Sequence, residues 1–485
     1  MSGELKRLAA GCLLTGFAGP TVPEWLQGWL EGGLGGVVLF ARNVESPAQV
    51  AELTAVLRAE RPELVVAIDE EGGDVTRLEA ATGSSYPGSW ALGVVDDVAL
   101  TEDVAAAIGA DLAAAGVNVN LAPVADVNWN PLNPIVGIRS FGSDADLVAR
   151  HVGAFVTGLQ RTGVAACVKH FPGHGDTRED SHLELPTVER GDKTMAAMLL
   201  PFQAGIDADA RAVMTAHIRV AGLDDAPGTL SRAVIGNLLR GDLGFTGVVV
   251  TDALEMRAVS ATVGAAEGAV QALEAGADAL CLGHDLRPEA IHAAVVDAVR
   301  SGRLAEVRVQ EAATRVAELG GSTLEPVSEA RDVGLEAARR ALVVDGDVAL
   351  GRPPLVIELV PESSIAAGRA NNGLADALHG AELVRLHDAP LDARARLAEH
   401  YRRQVVVVVR DAHRHTWERV AAPALLEAAP DGVLVEVGVP LWRPDGVGYI
   451  ATHGQGRVNL EAAAERLQSA PLAREVARHL GGQSP

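Results

Sequence analysis

The chain has 485 residues, of which 48% are hydrophobic and 22% are charged, a balance typical of globular proteins. This composition excludes a disordered chain, a collagen-like fibre and a small disulfide-stapled module, and the length predicts two or three domains. The formal net charge of −23, from 64 acidic and 41 basic residues, repels phosphate backbones and anionic lipids. We therefore expect neither nucleic-acid nor membrane binding.

Short apolar runs alternate with helical patterns up to about residue 320. Runs that are continuously apolar predict strands of a parallel sheet that is covered on both faces. The eight runs lie at residues 11–17, 36–40, 64–68, 117–123, 165–168, 212–216, 247–251 and 277–282. Eight strands with helices between them predict a closed (β/α)8 TIM-like barrel over residues 1–325.

A second block of α/β structure follows a polar stretch near residues 319–333. A helix-like segment at 334–342 leads into shorter apolar runs, which again predict a parallel sheet. These runs lie at residues 355–360, 382–386, 405–409, 433–437 and 447–451. They are too few for a barrel, so we predict that a linker and a smaller α/β open-sheet (sandwich) domain occupy residues 326–485.

The three cysteines, Cys12, Cys167 and Cys281, are far apart and lie inside apolar runs. Their spacing does not match a zinc site, and an odd number cannot pair completely into disulfides. We expect buried free thiols in a reducing compartment. No secretory apolar stretch precedes Cys12 and no run reaches membrane-spanning length, which together predict a cytoplasmic protein.

Polar residues gather where the predicted barrel strands end, which is where barrel enzymes carry their reactive side chains. The motifs are Asp69-Glu70-Glu71-Gly72-Gly73, Leu121 to Val127 with Asp126, Asn133-Pro134 to Gly142 with Arg139, Lys169 to His182, His217, and Thr251 to Met256 with Asp252. A lone Asp at a strand end often caps the next helix, and a lone His217 is more often a satisfied interior histidine. Lys169 is different, because burial of a lysine is costly without a carboxylate or an oxygen-rich ligand.

Three chemistries fit such a set of side chains. Histidines with an aspartate could hold zinc, as in metal-dependent amidohydrolases, although no His-x-His occurs at a strand end. Lys169 could form a Schiff base, but the many acids would then have no purpose. Glycoside cleavage uses all of them, since one carboxylate attacks the anomeric carbon while a nearby acid protonates the leaving oxygen.

The motifs resemble those of glycoside hydrolase family 3, specifically its bacterial β-N-acetylglucosaminidase branch. The pattern K-H-F-P-G-H-G-D-T-x-x-D-S-H, from Lys169 to His182, is long and specific, and the other motifs follow in the family's order over about residues 12–285. The resemblance implies a retaining, exo-acting enzyme that cleaves terminal β-linked N-acetylglucosamine through a covalent glycosyl-aspartate. It implies a small carbohydrate as substrate, no cofactor and no metal.

The resemblance also assigns roles to individual residues. It makes Asp252 the nucleophile and His182 the general acid/base, with Asp180 polarising His182 as a dyad. The residues that it implies for holding the sugar in the −1 subsite are Asp69, Arg77, Arg139, Lys169 and His170. The usual pKa of histidine, near 6.5, suits proton transfer in both directions at neutral pH. In an extended segment, positions two apart share a face, so Asp180 could reach the imidazole of His182.

This sequence departs from the family pattern at two positions, since the family usually has Gln where Glu70 stands and a basic residue where Asp74 stands. Other activities also stay open. Some relatives with the dyad are phosphorylases, a β-glucosidase normally takes its acid/base glutamate from the second domain, and a non-enzymatic sugar-binding protein is a further alternative. The implied natural substrates are N-acetylglucosamine-terminated fragments of peptidoglycan or chitin, consistent with peptidoglycan recycling in the cytoplasm.

Overall fold

The structure is a computed structural model that describes most of the chain. The described residues are 2–177, 185–188, 192–283, 286–321, 323–324, 332–361, 373–387, 397, 400 and 402–469. Among them, no helix is both long enough and apolar enough to cross a lipid bilayer. The predicted boundary at residues 325 and 326 falls in an undescribed segment and stays a prediction.

The first part of the chain forms a nearly closed barrel of eight parallel strands, as predicted. In chain order the strands of this part are β1 Leu13–Thr15, β2 Gly36–Leu39, β3 Val65–Ile68, β4 Val119–Asn120, β5 Ala165–Phe171, β6 Thr187–Val188, β7 Ala212–Thr215, β8 Arg219–Val220, β9 Val248–Val250 and β10 Leu280–Leu282. The barrel order is β10-β1-β2-β3-β4-β5-β7-β9, and a bridge from Val250 to Ala279 links its two ends. Strands β6 and β8 form a separate pair that the sequence did not predict.

Helices surround the barrel and separate its strands. In this part of the chain they are α1 Ser2–Gly11, α2 Glu24–Glu31, α3 Pro47–Glu60, α4 Ser89–Val95, α5 Val98–Ala114, α6 Ala145–Gln160, α7 Asp192–Asp207, a π-helix Ala233–Asp242, α8 Arg257–Ser260, α9 Ala265–Ala275, α10 Pro288–Arg300 and α11 Glu306–Gly320. Short 3₁₀ turns lie at Ala41–Asn43, Gly137–Arg139 and Gly228–Leu230. The hydroxyl of Ser46 accepts a hydrogen bond from the N–H of Gln49 and so caps α3.

The second part of the chain folds around a six-stranded sheet. Its elements are α12 Val333–Ala341, β11 Val343–Asp345, β12 Pro354–Leu359, α13 Leu374–Ala377, β13 Glu382–Leu386, β14 Gln404–Val409, α14 Thr416–Ala428, β15 Val433–Glu436, β16 Gly448–Ala451 and α15 Arg457–Gln468. The strand order is β11-β16-β15-β14-β12-β13. The five predicted strands, β12 to β16, pair parallel as expected. The sequence did not predict the short edge strand β11, which pairs antiparallel with β16.

Alternate residues of the barrel strands pack into two separate hydrophobic cores. In β3, Val65 and Ala67 pack inside the barrel, whereas Val66 and Ile68 pack outward against the helices. This division explains why the strands read as continuously apolar, since both faces are buried. The thiols of all three cysteines are free and buried, as expected from the sequence.

A buried ion cluster holds the amino-terminal end of the barrel, opposite the end where the polar motifs lie. Asp278 precedes β10 and is fully buried. Its carboxylate accepts hydrogen bonds from the N–H of Val249 at 3.0 Å and from Arg240 Nη2 at 2.5 Å. It also forms ion pairs with Arg308 and, at 3.1 Å, with Arg315. One carboxylate therefore compensates three arginines from the π-helix and α11.

We expect Asp278→Ala to lower the free energy of unfolding by about 3–5 kcal/mol, because three partly buried arginines would lose the buried carboxylate that they share. Urea unfolding measures this change. Glu267→Ala is a matched control, since the ion pair of Glu267 with Arg303 is about 40% exposed on both sides. It should cost less than about 1 kcal/mol. Equal losses in the two variants would show that Asp278 has no special role.

Candidate active site

The predicted site residues that the structure describes lie at the carboxyl end of the barrel. Asp69 directly follows β3, Lys169 and His170 lie near the end of β5, and Asp252 follows β9. Strands of a parallel barrel all point the same way, so these side chains share one mouth. Asp252 is partly exposed there rather than sealed in the core. A carboxylate at this place is open to a molecule that enters the mouth.

A buried ion network forms the floor of the mouth. Lys169 Nζ lies 2.7 Å from Asp69 Oδ1 and 2.7 Å from Glu71 Oε1. The side chain of Lys169 is only 2% exposed, and Asp69 and Glu71 are the carboxylate partners that its burial was expected to require. Arg139 binds Glu71 with two hydrogen bonds, from Nε to Oε2 at 2.9 Å and from Nη2 to Oε1 at 2.7 Å. Glu71 thus joins Lys169 to Arg139.

The opposite charges of this network favour the ionised forms of Glu71, Lys169 and Arg139. Burial disfavours the charged form of Glu71, but the nearby charges of Arg139 and Lys169 outweigh it and hold the pKa of that carboxyl well below its usual value. Burial likewise opposes the charge of Lys169, and Asp69 and Glu71 raise its pKa above the usual value. The network therefore presents fixed charges and fixed hydrogen-bonding groups around neutral pH.

Arg77 completes this side of the mouth. Its Nη2 atom lies 3.9 Å from Asp69 Oδ2, which is the oxygen that Lys169 does not bind. Asp69 thus lies between a lysine and an arginine, and its side chain is 19% exposed. Four of the five predicted sugar-binding residues, namely Asp69, Arg77, Arg139 and Lys169, belong to this one network.

His170, the fifth residue, belongs to an adjacent buried pair. Its Nδ1 atom lies 2.7 Å from Asp126 Oδ2, and the N–H of His174 donates to Asp126 Oδ1 at 2.6 Å. Asp126 is fully buried, and although burial opposes its charge, His170 and His174 lower the pKa of this carboxyl. The Nδ1–H of His170 therefore donates to a carboxylate, which orients the imidazole ring.

The segment that leads towards the predicted dyad is tightly held up to its last described residue. Thr177 is fully buried, and its hydroxyl lies 2.7 Å from His174 Nδ1. Asn130 Nδ2 donates to the carbonyl of Thr177 at 3.1 Å, and Asn133 Nδ2 donates to the carbonyl of His174 at 2.8 Å. The dyad residues, Asp180 and His182, lie outside the described residues, so their roles stay predictions.

Hydrogen bonds fix the conformation of the loop that carries Asp252. The N–H of Ala253 donates to Asp252 Oδ1 at 2.8 Å, which orients the carboxylate. His217 Nε2 donates to the carbonyl of Ala253 at 3.0 Å, and its Nδ1 atom lies 2.8 Å from Thr229 Oγ1. His217 is fully buried, so its interpretation as a satisfied interior histidine is confirmed. It supports the loop that carries Asp252.

Asp252 shares its surroundings with the ion network. Burial raises the pKa of the Cys167 thiol to about 12, and the charges of Lys169, Asp69 and Asp252 all act on the same thiol. Cys167 packs inside the barrel below the mouth. Asp252, Asp69 and Lys169 therefore all lie near this thiol.

Glu71 and Asp126 belong to the sequence motifs at the strand ends, but the sequence predicted no role in the site for either residue. Glu71 lies between the side chains of Lys169 and Arg139, and Asp126 accepts hydrogen bonds from the ring of His170 and from the backbone N–H of His174. The sequence did indicate that some carboxylate must lie near Lys169, because a buried lysine requires one. Which of the acids in the 69–71 motif supplies it depends on the turn of the loop, and only the tertiary structure shows that both Asp69 and Glu71 do.

The second domain borders the mouth. His413 Nε2 donates to the carbonyl of Pro131 at 2.7 Å, and the N–H of Gln455 donates to Asp74 Oδ1 at 2.7 Å. His453 is 2% exposed, and neither ring nitrogen has a hydrogen-bond partner in the described part of the chain. Burial lowers the pKa of His453 to about 4, so its imidazole is neutral.

Within the described ranges, no three His, Cys, Asp or Glu side chains are grouped as the ligands of a metal ion would be.

Comparison with known proteins agrees with the motifs. The model of the glycosyl hydrolase family 3 N-terminal domain matches residues 21–319. Beta-hexosaminidase A of Pseudoalteromonas piscicida is 34% identical over 349 residues, which are 65% of this chain and 58% of that relative. A beta-hexosaminidase of Stenotrophomonas maltophilia (strain R551-3) is 38% identical over 292 residues, which are 58% of this chain and 86% of that protein.

A solved structure extends the similarity over both domains. The family 3 beta-N-acetylglucosaminidase from Paenibacillus sp. str. FPU-7 is 34% identical to this chain, covers 96% of each chain and superposes with a TM-score of 0.86. The family model alone covers more than half of the chain, and the barrel and its motifs are those that the resemblance implied. The chain belongs to glycosyl hydrolase family 3.

Proposed function

We propose that this protein is a retaining, exo-acting β-N-acetylglucosaminidase that cleaves terminal β-linked N-acetylglucosamine. The observation that carries this proposal is the partly exposed carboxylate of Asp252 at the barrel mouth, beside the buried network of Asp69, Lys169 and Glu71. The similarity to the Paenibacillus beta-N-acetylglucosaminidase over both domains supports the choice of sugar.

In the proposed mechanism, an oxygen of Asp252 attacks C1 of the bound sugar while the bond from C1 to the leaving oxygen breaks. His182 gives its proton to that oxygen, and Asp180 stabilises the charged imidazole. The product of this step is a covalent glycosyl-aspartate. A water molecule then loses a proton to His182 and attacks C1, which releases the sugar and restores Asp252.

The ion network is suited to holding the sugar during both steps. Sugar hydroxyls donate and accept hydrogen bonds, so they need fixed groups of both kinds. Asp69 supplies acceptor oxygens, while Lys169, Arg77 and Arg139 supply donors. Because these groups already hold one another, little ordering remains to be done when the substrate binds.

The natural substrates that we propose are N-acetylglucosamine-terminated fragments of peptidoglycan or chitin, with a role in peptidoglycan recycling in the cytoplasm. These assignments rest on the family resemblance and on the sugar named for the similar Paenibacillus protein.

Glu70 differs from the usual family residue and affects the same loop. Its Oε2 atom accepts hydrogen bonds from the N–H groups of Arg77 at 2.8 Å and Leu78 at 3.0 Å. Glutamine offers an oxygen that can accept the same bonds without a charge. Glu70 is 4% exposed, and burial raises the pKa of its carboxyl from 4.5 to about 7. Near neutral pH this carboxyl is therefore partly protonated in the folded protein.

We expect Asp252→Ala to lower kcat/KM on p-nitrophenyl β-N-acetylglucosaminide by at least about 10³-fold, because the covalent intermediate can no longer form. The fold should survive, since shortening a side chain at the mouth opens no core cavity. Release of p-nitrophenol measures activity, and circular dichroism checks the fold. Asp225→Ala, at an exposed aspartate, should keep full activity.

The same assay distinguishes hydrolysis from transfer to phosphate. The wild type should release free N-acetylglucosamine at a rate that does not depend on added phosphate. A phosphate-dependent rate with a sugar 1-phosphate product would instead make the protein a phosphorylase. Near-normal activity of Asp252→Ala would remove Asp252 from the mechanism.

We expect His182→Ala to reduce cleavage of natural disaccharides by roughly 10²–10⁴-fold, because their leaving oxygen needs a proton. Aryl glycosides with a good leaving group should suffer less in the first step, since that group departs with little protonation. A series of aryl glycosides of graded leaving-group pKa measures this difference. Equal damage across the series would contradict an acid role for His182.

We expect Glu70→Gln to stabilise the protein at alkaline pH and not under acid conditions. The pKa of Glu70 is higher in the folded than in the unfolded chain, so ionisation costs folding free energy as the pH rises from about 4.5 to about 7 and above. The gain should approach about 2–4 kcal/mol near pH 8 and vanish near pH 4. Urea unfolding at several pH values measures it. Glu52→Gln, at an exposed site, should show no such dependence.

A further inference from the structure

The loop between Asp69 and Arg77 is a stiff hairpin with a proposed sugar-binding residue at each end. The N–H of Glu71 donates to the carbonyl of Val75 at 2.9 Å, which closes the hairpin. The carboxylate of Glu70 accepts the N–H groups of Arg77 and Leu78, which ties the start of the loop to its end. If the tip moves, we therefore expect both ends of the hairpin, Asp69 and Arg77, to move with it.

The tip of this hairpin is held by the second domain. Asp74 is the tip residue, and its side chain is 6% exposed. Its carboxylate forms an ion pair with Arg410, which follows β14, and accepts the N–H of Gln455, which follows β16, at 2.7 Å. Arg410 Nη1 also lies 3.3 Å from Gln455 Oε1. Two loops of the second domain thus meet on one carboxylate of the barrel.

The backbone of the hairpin tip lies close to the backbones of both domains. Gly73 has a φ of +59°, and a Cβ atom there would lie 2.7 Å from the backbone of Gly88 in the barrel. On the other side, a Cβ atom on Gly456 would lie 3.0 Å from the Cα atom of Gly73. The tip is therefore enclosed between α4 on the barrel side and the loop before α15 on the second-domain side.

The charge at the tip is the reverse of the usual family charge. The family resemblance places a basic residue where Asp74 stands, and here the basic partner, Arg410, comes from the second domain instead. The side chain of Arg410 is 26% exposed. The ion pair is thus partly shielded from water, where an unpaired partner is more costly than on an open surface.

We propose that Asp74 and Arg410 are positioning residues through which the second domain sets the geometry of the −1 subsite. Their ion pair fixes the hairpin tip, and the hairpin in turn fixes Asp69 and Arg77 relative to Lys169. The link to sugar binding rests on the proposed function, whereas the control of the hairpin by the second domain does not.

The kinetic test compares Asp74→Asn, Arg410→Ala and their double variant on p-nitrophenyl β-N-acetylglucosaminide. Each single variant should lower kcat/KM by on the order of 10-fold, mainly through a higher KM, because displaced Asp69 and Arg77 bind the sugar less well. The double variant should be little worse than either single one, since all three lose the same ion pair. Arg410→Lys keeps the charge and should restore much of the activity.

The matched control is Arg340→Ala, which removes a different ion pair between the two parts of the chain. Arg340 in α12 lies 2.9 Å from Asp97, the residue before α5, and neither residue touches the hairpin. This variant should keep the wild-type KM. Thermal unfolding of every variant checks the fold, and if Arg410→Ala does not fold, Asp74→Asn and Arg410→Lys carry the comparison.

Amide hydrogen exchange tests the hairpin independently of activity. Exchange at Glu71, Gly73, Arg77 and Leu78 should rise in Asp74→Asn and stay unchanged in Arg340→Ala. Unchanged exchange together with unchanged KM would overturn the positioning role, and so would equal effects of Arg340→Ala. A wild type without glycosidase activity would overturn the proposed function instead, while the exchange comparison would still decide whether the second domain holds the hairpin.

Discussion

The burial of Lys169 is the constraint on which the rest of the site depends. An ammonium group that is taken out of water costs several kcal/mol unless opposite charges surround it, so two carboxylates must converge on it. Asp69 and Glu71 supply them from the loop after β3, while Lys169 itself lies in β5. The two strands are not neighbours, since β4 lies between them. The ion pairs therefore fix the shape of the mouth across three strands.

The two ends of the barrel use buried charge in different ways. At the amino-terminal end, Asp278 is fully buried among arginines and its hydrogen bonds join neighbouring elements. At the carboxyl end, Asp69 and Asp252 keep part of their surface open. The fully buried carboxylate of Asp278 is out of reach of a ligand, whereas carboxylates that reach the mouth remain available to one. This separation lets the loops of the mouth carry chemistry while the barrel beneath them is held by other contacts.

The second domain takes part in the mouth through polar contacts from the loops that follow its parallel strands. His413 reaches the carbonyl of Pro131, in the loop that leads to Arg139, and Gln455 reaches Asp74, in the loop that carries Asp69. Both barrel loops are therefore hydrogen-bonded to loops of the second domain. Hydrogen bonds depend on distance and direction, so these contacts tie the position of both barrel loops to that of the second domain.

The sequence by itself determined the eight barrel strands, the five parallel strands of the second sheet and the residues that gather at the mouth. It could do so because a strand buried on both faces must be continuously apolar, and because polar residues at strand ends interrupt that pattern. It missed β11, since three residues at a sheet edge carry too little pattern to distinguish them from the end of a helix. Only the tertiary structure decided that Glu71 joins Lys169 to Arg139, that His217 supports the Asp252 loop, and that Asp74 meets Arg410. Each of these contacts joins residues far apart in the chain, and local patterns hold no information on which distant polar groups will face each other in the folded protein.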